Sequence, residues 1–388
     1  MKILHFFSLF LFVLLMTNCN HDSNNPDNPD NPDNPENPVN TPLCEISDIE
    51  FTSVNDAKLI IVNTKLDWNV ATSDDWIKLT ENKGKGKTGI LVGVEDNVSI
   101  PRNGKITITT VDSIHEIKIS QFGPNSLTYS VGGVEVKLIL APAGQFLMGL
   151  NNNWIDGPQR RIKIDSLYIC ETEVTNELWK AVTGTLPYDT VNAIADITVS
   201  KVNLEPVTYI SWNDVQKFLT SLNLRTGSQF RLPTEAEWQY AASGANLSKG
   251  YIYSGSNNLR EVAWYQENSG SAKQPVKQLL PNELMLYDMS GNVSEWCNDW
   301  YKDYYGDDSA PTNNVVYNPT GPLTGTNRVV RGGNYASSLL LNSSPCNLNA
   351  RSSICPVCYE VVFPGTVHEK IVYGCGYVGF RFVLPLIK

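Results

Sequence analysis

Leu286-Tyr-Asp-Met-Ser-Gly-Asn-Val-Ser-Glu-Trp296 reads as a turn-forming segment rather than a helix or a regular strand. Asp288, Gly291, Asn292 and Glu295 set two carboxylates beside several backbone carbonyls, the hard-oxygen donor set that calcium takes. A turn capped by Asp288 with Glu295 solvated uses the same residues without an ion. Beyond Arg260 the chain is rich in Gly, Asn, Pro and aromatic residues with few long periodic runs. That pattern predicts irregular loops held by buried polar contacts.

Upstream, Phe230-Arg-Leu-Pro-Thr-Glu-Ala-Glu-Trp238 is a helix entry. Thr234 can cap, Glu237 closes a capping box, and Glu235 and Glu237 suit the positive end of the helix. Helices are also predicted over Thr175–Val182, after a cap-like threonine, and over Ser211–Leu222, where apolar residues recur at helical spacing. A strand-turn-strand pattern covers Val131–Val136 and Leu138–Gly149.

Taken in order, Glu171-Thr-Glu-Val-Thr-Asn176, Pro206-Val-Thr-Tyr-Ile-Ser-Trp212, the 230–238 and 286–296 segments, Arg328-Val-Val-Arg-Gly-Gly333 and Gly379-Phe-Arg-Phe382 closely resemble the formylglycine-generating, or sulfatase-modifying factor, family. The resemblance runs from about Leu138 to Val383. It implies an α+β, C-type-lectin-like fold poor in regular secondary structure. It also implies structural calcium, with the family's ligands falling on Asp288, Gly291, Val293 and Glu295, the middle two through their carbonyls.

Members of that family oxidise a substrate-protein cysteine to formylglycine with molecular oxygen and copper(I) held by two thiolates. Soft sulfur donors select cuprous ion, and neither a hydroxyl nor an amide replaces them. Counted from Arg331, the two thiol positions are Ser337 and Asn342, and the family's serine after the glycines is Asn334. Copper is therefore not expected at the usual place. Shifted thiols are Cys346, Cys355 and Cys358, with Cys375 further on. Cys355-Pro-Val-Cys358 can chelate a metal, cycle as a redox pair, or brace an inserted loop as a disulfide. Related sulfoxide synthases hold iron on a histidine cluster, and His115 and His368 alone do not supply one.

Hydrolytic chemistry finds no anchor: the sequence has no Gly-x-Ser-x-Gly elbow, no phosphate-binding glycine loop leading into Lys-Ser or Lys-Thr, and no paired-histidine zinc helix. Glu171 and Glu173 read as ordinary surface carboxylates.

Toward the N-terminus, Lys58–Val62, Trp68–Val70, Gly89–Val92, Lys105–Ile108 and His115–Ile119 are short, mostly alternating, β-branched runs separated by Gly, Asn and Asp. Such spacing predicts an all-β, immunoglobulin-like sandwich over residues 44–124. The basic run Lys83–Lys87 among glycines reads as a solvated turn. Trp68, Asp74-Asp-Trp-Ile77, Asn97, Arg102 and Ile119-Ser-Gln-Phe-Gly123 resemble the BACON domain, which accompanies glycan-processing proteins of gut Bacteroidetes. The resemblance implies a carbohydrate or mucin contact. Core packing is the other use of Trp68 and Trp76.

Met1, Lys2 and the apolar run Ile3–Met16 form an export signal too short to span a bilayer comfortably. Thr17-Asn18-Cys19 closes it like a lipoprotein cleavage site, with Cys19 taking the lipid. Ordinary cleavage is the alternative, since Asn18 is bulkier than usual there. Residues 20–43, built on Asn-Pro-Asp repeats, are a stiff spacer. Of eight cysteines, removing Cys19 leaves seven, so one thiol stays unpaired or bridges chains.

A formal net charge of −10 with no concentrated Lys/Arg face excludes a non-specific nucleic-acid binder. The expected protein is an exported lipoprotein, periplasmic or at the cell surface: signal 1–19, spacer 20–43, sandwich 44–124, sulfatase-modifying-factor-like unit 127–388. It binds or scaffolds cell-envelope proteins or glycans, with Trp300, Tyr301, Tyr304 and Tyr305 as stacking candidates, although core packing is the favoured use of Trp296 and Trp300. The alternative is an active oxidase that matures sulfatases through Cys346 and one of Cys355, Cys358 or Cys375.

Overall fold

The computed structural model describes residues 43–149, 159–187, 202–303, 314–338, 345–356, 359–362, 370–373 and 376–386. It is mostly β. Eight strands come first: β1 (Asp48–Phe51), β2 (Asp56–Val62), β3 (Asp67–Thr72), β4 (Ile77–Leu79), β5 (Lys83–Lys85), β6 (Thr88–Val94), β7 (Arg102–Thr110) and β8 (Ile114–Gln121). They form one sheet in the order β1-β8-β7-β3-β5 and another in the order β2-β6-β4. Alternate residues of both sheets point into a shared core, among them Ile60, Val62, Trp68, Val70, Ile90, Val92, Ile106, Ile108, Ile117 and Ile119. The period-2 pattern of these strands thus does its expected work.

Lys83–Lys85 departs from the expected turn. It pairs with β3, Trp68 opposite Gly84, while its lysines stay exposed. Trp68 lies beneath that glycine: a Cβ at Gly84 would stand 2.2 Å from the indole Cζ2.

The rest of the chain opens with β9 (Ser126–Val131), β10 (Val134–Ala141), β11 (Gly144–Met148), β12 (Arg160–Ile164) and β13 (Leu167–Cys170). Helices α1 (Asn176–Thr183), α2 (Trp212–Thr226), α3 (Glu235–Ala242) and α4 (Leu259–Val262) follow, and then β14 (Ser294–Trp300), β15 (Val315–Tyr317), β16 (Arg328–Arg331), β17 (Ser352–Ile354), β18 (Tyr359–Val362), β19 (Lys370–Tyr373), β20 (Val378–Gly379) and β21 (Val383–Pro385). Thr175, Ser211 and Thr234 cap the first three helices, and Ser211/Asp214 and Thr234/Glu237 close full capping boxes.

The sheet β21-β13-β10-β9 joins the end of this region to its beginning. Both of its faces are covered. Leu138, Tyr168 and Cys170 face one core with Trp179 and Phe218 of α1 and α2, whose rings stack at 5.1 Å. Ile139, Leu167 and Ile169 face a second core with Trp238 and Tyr240 of α3.

The stretch beyond Arg260 is more regular than expected, for it holds the sheet β17-β16-β14-β20. Five of the seven residues of β14 are buried, on both faces. A strand covered on both sides loses the alternation by which strands are recognised.

Candidate functional site

The loop after β16 and the 286–296 segment are zipped together by backbone bonds. Gly291 N–H donates to Gly332 O at 2.8 Å, and Tyr335 N–H to Asn292 O at 2.8 Å. Gly333 adopts φ +70, and a Cβ there would lie 2.7 Å from the Cys346 sulfur. Only glycine lets the loop sit that close to the chain beneath it. Arg331, buried, donates to Ala350 O, Leu348 O and Gln239 Oε1 at 2.6–2.8 Å, which ties residues 348–350 to α3.

Ser337, at the first thiol position, is buried. Its Oγ accepts the Asn334 N–H at 3.0 Å, and its own N–H returns to Asn334 O at 2.8 Å. Asn334 Nδ2 donates to Ser294 Oγ at 3.1 Å. The hydroxyl closes a turn and accepts a backbone amide. Asn342 lies outside the described residues, as do Cys19, Cys358, Cys375, Tyr304 and Tyr305. Cys346 is buried with Leu259, Ala263 and Tyr265 around it. Cys355 is half-buried. Burial pushes the Cys170 thiol up to about 12, and the Cys297 thiol is raised by burial and by nearby carboxylates. Neither sulfur is a ready thiolate.

Beneath this loop lies a buried carboxylate cluster. Glu295, expected either as a calcium ligand or as a solvated residue, is fully buried. Its oxygens accept Arg381 Nε and Nη2 at 2.8–3.0 Å and Trp238 Nε1 at 2.7 Å. Glu173 is buried rather than at the surface; it accepts Asn292 Nδ2 at 2.7 Å and Val293 N–H at 3.0 Å. Asp288 accepts the Lys277 N–H at 2.9 Å. Burial first, then repulsion from Asp288 and Glu295, holds Glu173 well above the usual carboxylate range. Burial puts Asp288 at about 6, although the Lys277 N–H and Arg381 pull it down. Glu171, also buried, is held by Lys137 and Lys277 at 3.1 and 2.7 Å.

Three carboxyls thus crowd around the Arg381 guanidinium, an excess of buried negative charge that a divalent cation would relieve. The donor geometry pulls the other way, because Arg381 and Trp238 already occupy both Glu295 oxygens. Among the described residues no three His, Cys, Asp or Glu side chains converge as a metal cage, so an ion here would depend on the Gly291 and Val293 carbonyls.

The aromatic residues divide. Trp296 is buried, with Nε1 donating to Ile210 O at 3.2 Å. Trp300 is half-buried, and the Arg328 guanidinium lies between it and Trp212 at 3.5 and 3.9 Å from the ring centres. Tyr301 carries Arg351 over its ring at 5.0 Å. In the first sheets Trp68 is core, and Trp76 stacks under Arg102 at 4.5 Å.

Sequence reasoning passed over Asp299, which is buried beside α3. Its Oδ2 accepts the Glu235 N–H at 2.9 Å. Nothing in the local sequence signals its burial, because the strand that carries it is covered on both faces and lacks alternation.

The family signature of the sulfatase-modifying factor enzyme 1-like domain matches residues 133–357, more than half of the chain. The chain belongs to the sulfatase-modifying factor family. Residues 66–122 match the BACON family, described as a putative binding domain. A Paenibacillus barcinonensis protein named chaperone protein LppX is 32% identical over 222 residues, 46% of this chain and 73% of that one. The formylglycine-generating enzyme of Streptomyces coelicolor is 36% identical over 166 residues, 39% of this chain and 48% of the enzyme. The chain thus spans about half the length of that enzyme. Treponema denticola variable protein 1 superposes with a TM-score of 0.54 at 29% identity, over 67% of this chain and 99% of that one. In sulfatase-modifying-factor terms, then, the Arg331 loop, the 286–296 turn and Arg381 form one hydrogen-bonded unit, with Ser337 in the loop that follows Gly333.

Proposed function

We propose that this chain is an exported, lipid-anchored binding or scaffold protein whose sulfatase-modifying-factor domain does not perform copper-dependent oxidation. The observation that carries the reading is Ser337: its hydroxyl closes a turn on Asn334 where a thiolate would be required. The relative named as a chaperone and the match to a putative binding domain support a binding role. No described helix is long and apolar enough to cross a membrane, which is compatible with an anchor at Cys19.

In this reading residues 1–19 are the lipoprotein signal, 20–43 the spacer, 44–124 an immunoglobulin-like sandwich and 127–388 a C-type-lectin-like domain. Calcium at Asp288, Gly291, Val293 and Glu295 is structural and would neutralise the buried carboxylates at the expense of part of the Glu295 hold on Arg381. The ligands are cell-envelope proteins or glycans. A second reading, oxidation through Cys346 with Cys355, Cys358 or Cys375, draws on the position of the Cys346 sulfur beneath Gly333.

Anaerobic titration with copper(I) separates the two. The binding reading expects no stoichiometric soft-metal site and no conversion of a cysteine-containing sulfatase peptide. Tight 1:1 copper binding abolished by Cys346→Ser would overturn it, and a glycan array and an envelope pulldown that were both empty would remove its support.

A further inference from the structure

The two sheets of β1–β8 have two ends, and four segments meet at one of them. Asn63 N–H donates to Leu43 O at 2.8 Å, Gly86 N–H donates to Leu66 O at 3.1 Å, and Trp68 pairs across from Thr110, where the turn between β7 and β8 begins. Thr110, a buried residue, closes that turn: its hydroxyl accepts the Asp112 and Ser113 N–H groups at 3.3 and 3.0 Å, and its own N–H donates to Ser113 O at 2.9 Å. The turn so fixed presents apolar side chains outward. Val111 is 85% exposed and Ile114 70%, and Leu66 in the adjacent turn is 36% exposed.

Single exposed apolar residues are ordinary on a protein surface. These three share one end with the exposed Lys65, Lys85 and Lys87, and with Lys83 one step further along β5. Glu45, Asp67 and Asp112 are exposed there too, and Asp67 lies 3.5 Å from Lys85, so charge is nearly balanced and hydrocarbon supplies the larger attraction. At the other end, where Asn97 N–H donates to Ser53 O, Val54 and Val98 are also exposed, but they stand among Asp56, Glu95 and Asp96.

We infer that the Val111 end of these sheets rests on a lipid bilayer, with Val111, Ile114 and Leu66 entering its interfacial layer. The path of the chain selects that occupant over a protein face: residues 1–42, including the proposed anchor at Cys19, precede Leu43, and Leu43 joins the sheets at this end. The side chains match the surface. Aliphatic groups on protruding turns enter the boundary between headgroup and acyl chain, while lysines lay their stems along hydrocarbon and keep their charge in water. Such a contact is weak alone, but behind a tether it becomes intramolecular and weak affinity is enough. The inference rests on the anchored reading for what brings a membrane to this end; the contact itself needs no acyl chain.

The test is co-sedimentation of the chain from Asn20 onward, which has neither the apolar signal run nor Cys19, with phosphatidylcholine vesicles and with vesicles that also hold phosphatidylglycerol. Half-binding to phosphatidylcholine alone is expected at on the order of 1 mM accessible lipid. Including about 30% phosphatidylglycerol is expected to change that value by less than about fivefold, because the charges at this end nearly cancel. Val111→Ser with Ile114→Ser is expected to weaken binding to both vesicles at least about tenfold. Val98→Ser, at the opposite end, is expected to leave it unchanged. No binding to phosphatidylcholine, equal binding by the double variant, the same loss from Val98→Ser, or a dimer of the parent that the double variant abolishes in place of vesicle binding overturns the inference. Acyl labelling of the intact chain at Cys19 reads the anchor separately. A labelled chain whose shortened form ignores vesicles keeps the anchor and loses the inference, whereas vesicle binding with no labelling keeps the contact and loses the anchor.

Discussion

Arg381 and Glu295, 86 residues apart and both fully buried, meet through Nε and Nη2 against both carboxylate oxygens. Arg381 also donates to Cys170 O at 3.0 Å and to Tyr287 O at 2.8 Å, so one guanidinium joins β13, the 286–296 turn, β14 and the chain end. Removing one member of a buried pair strands the other charge. Arg381→Met is expected to destabilise the C-terminal region by ~3–5 kcal/mol in urea unfolding. Adding Glu295→Leu to that variant is expected to recover part of the loss. A single variant within about 0.5 kcal/mol of the parent would show that the pair contributes nothing net.

The proposed calcium would bear on the same cluster. If the ion shares Glu295 with Arg381, chelator-stripped protein gains stability on adding calcium, by about 2.7 kcal/mol at a hundredfold excess over Kd. Asp288→Asn and Glu295→Gln are expected to abolish the gain. Melting curves that overlay with and without calcium would leave Arg381 as the cluster's counter-charge and remove the ion from the proposal.

Asp299 sets a pH dependence of stability. In the unfolded chain its carboxyl ionises near about 3.9, whereas in the folded protein it does so only at about 8. Between those values the native state holds a proton that the unfolded state has lost, so stability falls as pH rises through the window and levels off above it. Asp299→Asn is expected to remove that slope, a difference on the order of 3 kcal/mol between about pH 5 and about pH 8. Parallel stability curves for the two proteins across this range would be the contrary result.

In the first sheets, Gly84 tests whether Trp68 is core or a contact surface. A methyl group at Gly84 runs into the buried indole, whose Nε1 donates to Gly86 O at 3.0 Å. Gly84→Ala is expected to destabilise the sandwich by ~1–3 kcal/mol, read from its unfolding midpoint. An unchanged midpoint would mean that the indole swings out readily, as a ligand-stacking side chain must.

What was legible in the sequence was local. Thr175, Ser211 and Thr234 announce their helices because a cap and its partner lie within one turn. The alternation of β7 and β8 announces a half-buried sheet. β13 and β14 were not legible as strands, since burial on both faces erases the period. Burial of Glu171, Glu173 and Asp299 was hidden for another reason: their partners lie far along the chain, as Lys277 does from Glu171. Ser337 was visible as an altered position. Its turn with Asn334 follows from the backbone path of the loop, which residue types alone do not specify.

Rebuilding the thiols addresses the functional proposal directly. Ser337 supplies one hydrogen bond to a turn that Asn334 also closes with its backbone carbonyl, so replacing its hydroxyl with a thiol is expected to cost only about 1 kcal/mol. Ser337→Cys with Asn342→Cys returns sulfur to both positions that soft-donor chemistry requires. The double variant is expected to gain a copper(I) site that the parent lacks, measured by anaerobic competition against a chromogenic chelator, while each single variant gains little. If the parent already binds copper(I) as tightly as the double variant, other sulfurs do the binding and loss of the oxidase centre is no longer tenable. If the double variant binds copper yet converts no sulfatase peptide, the domain has lost substrate positioning as well as its metal ligands, which is the outcome expected of a protein retained for binding.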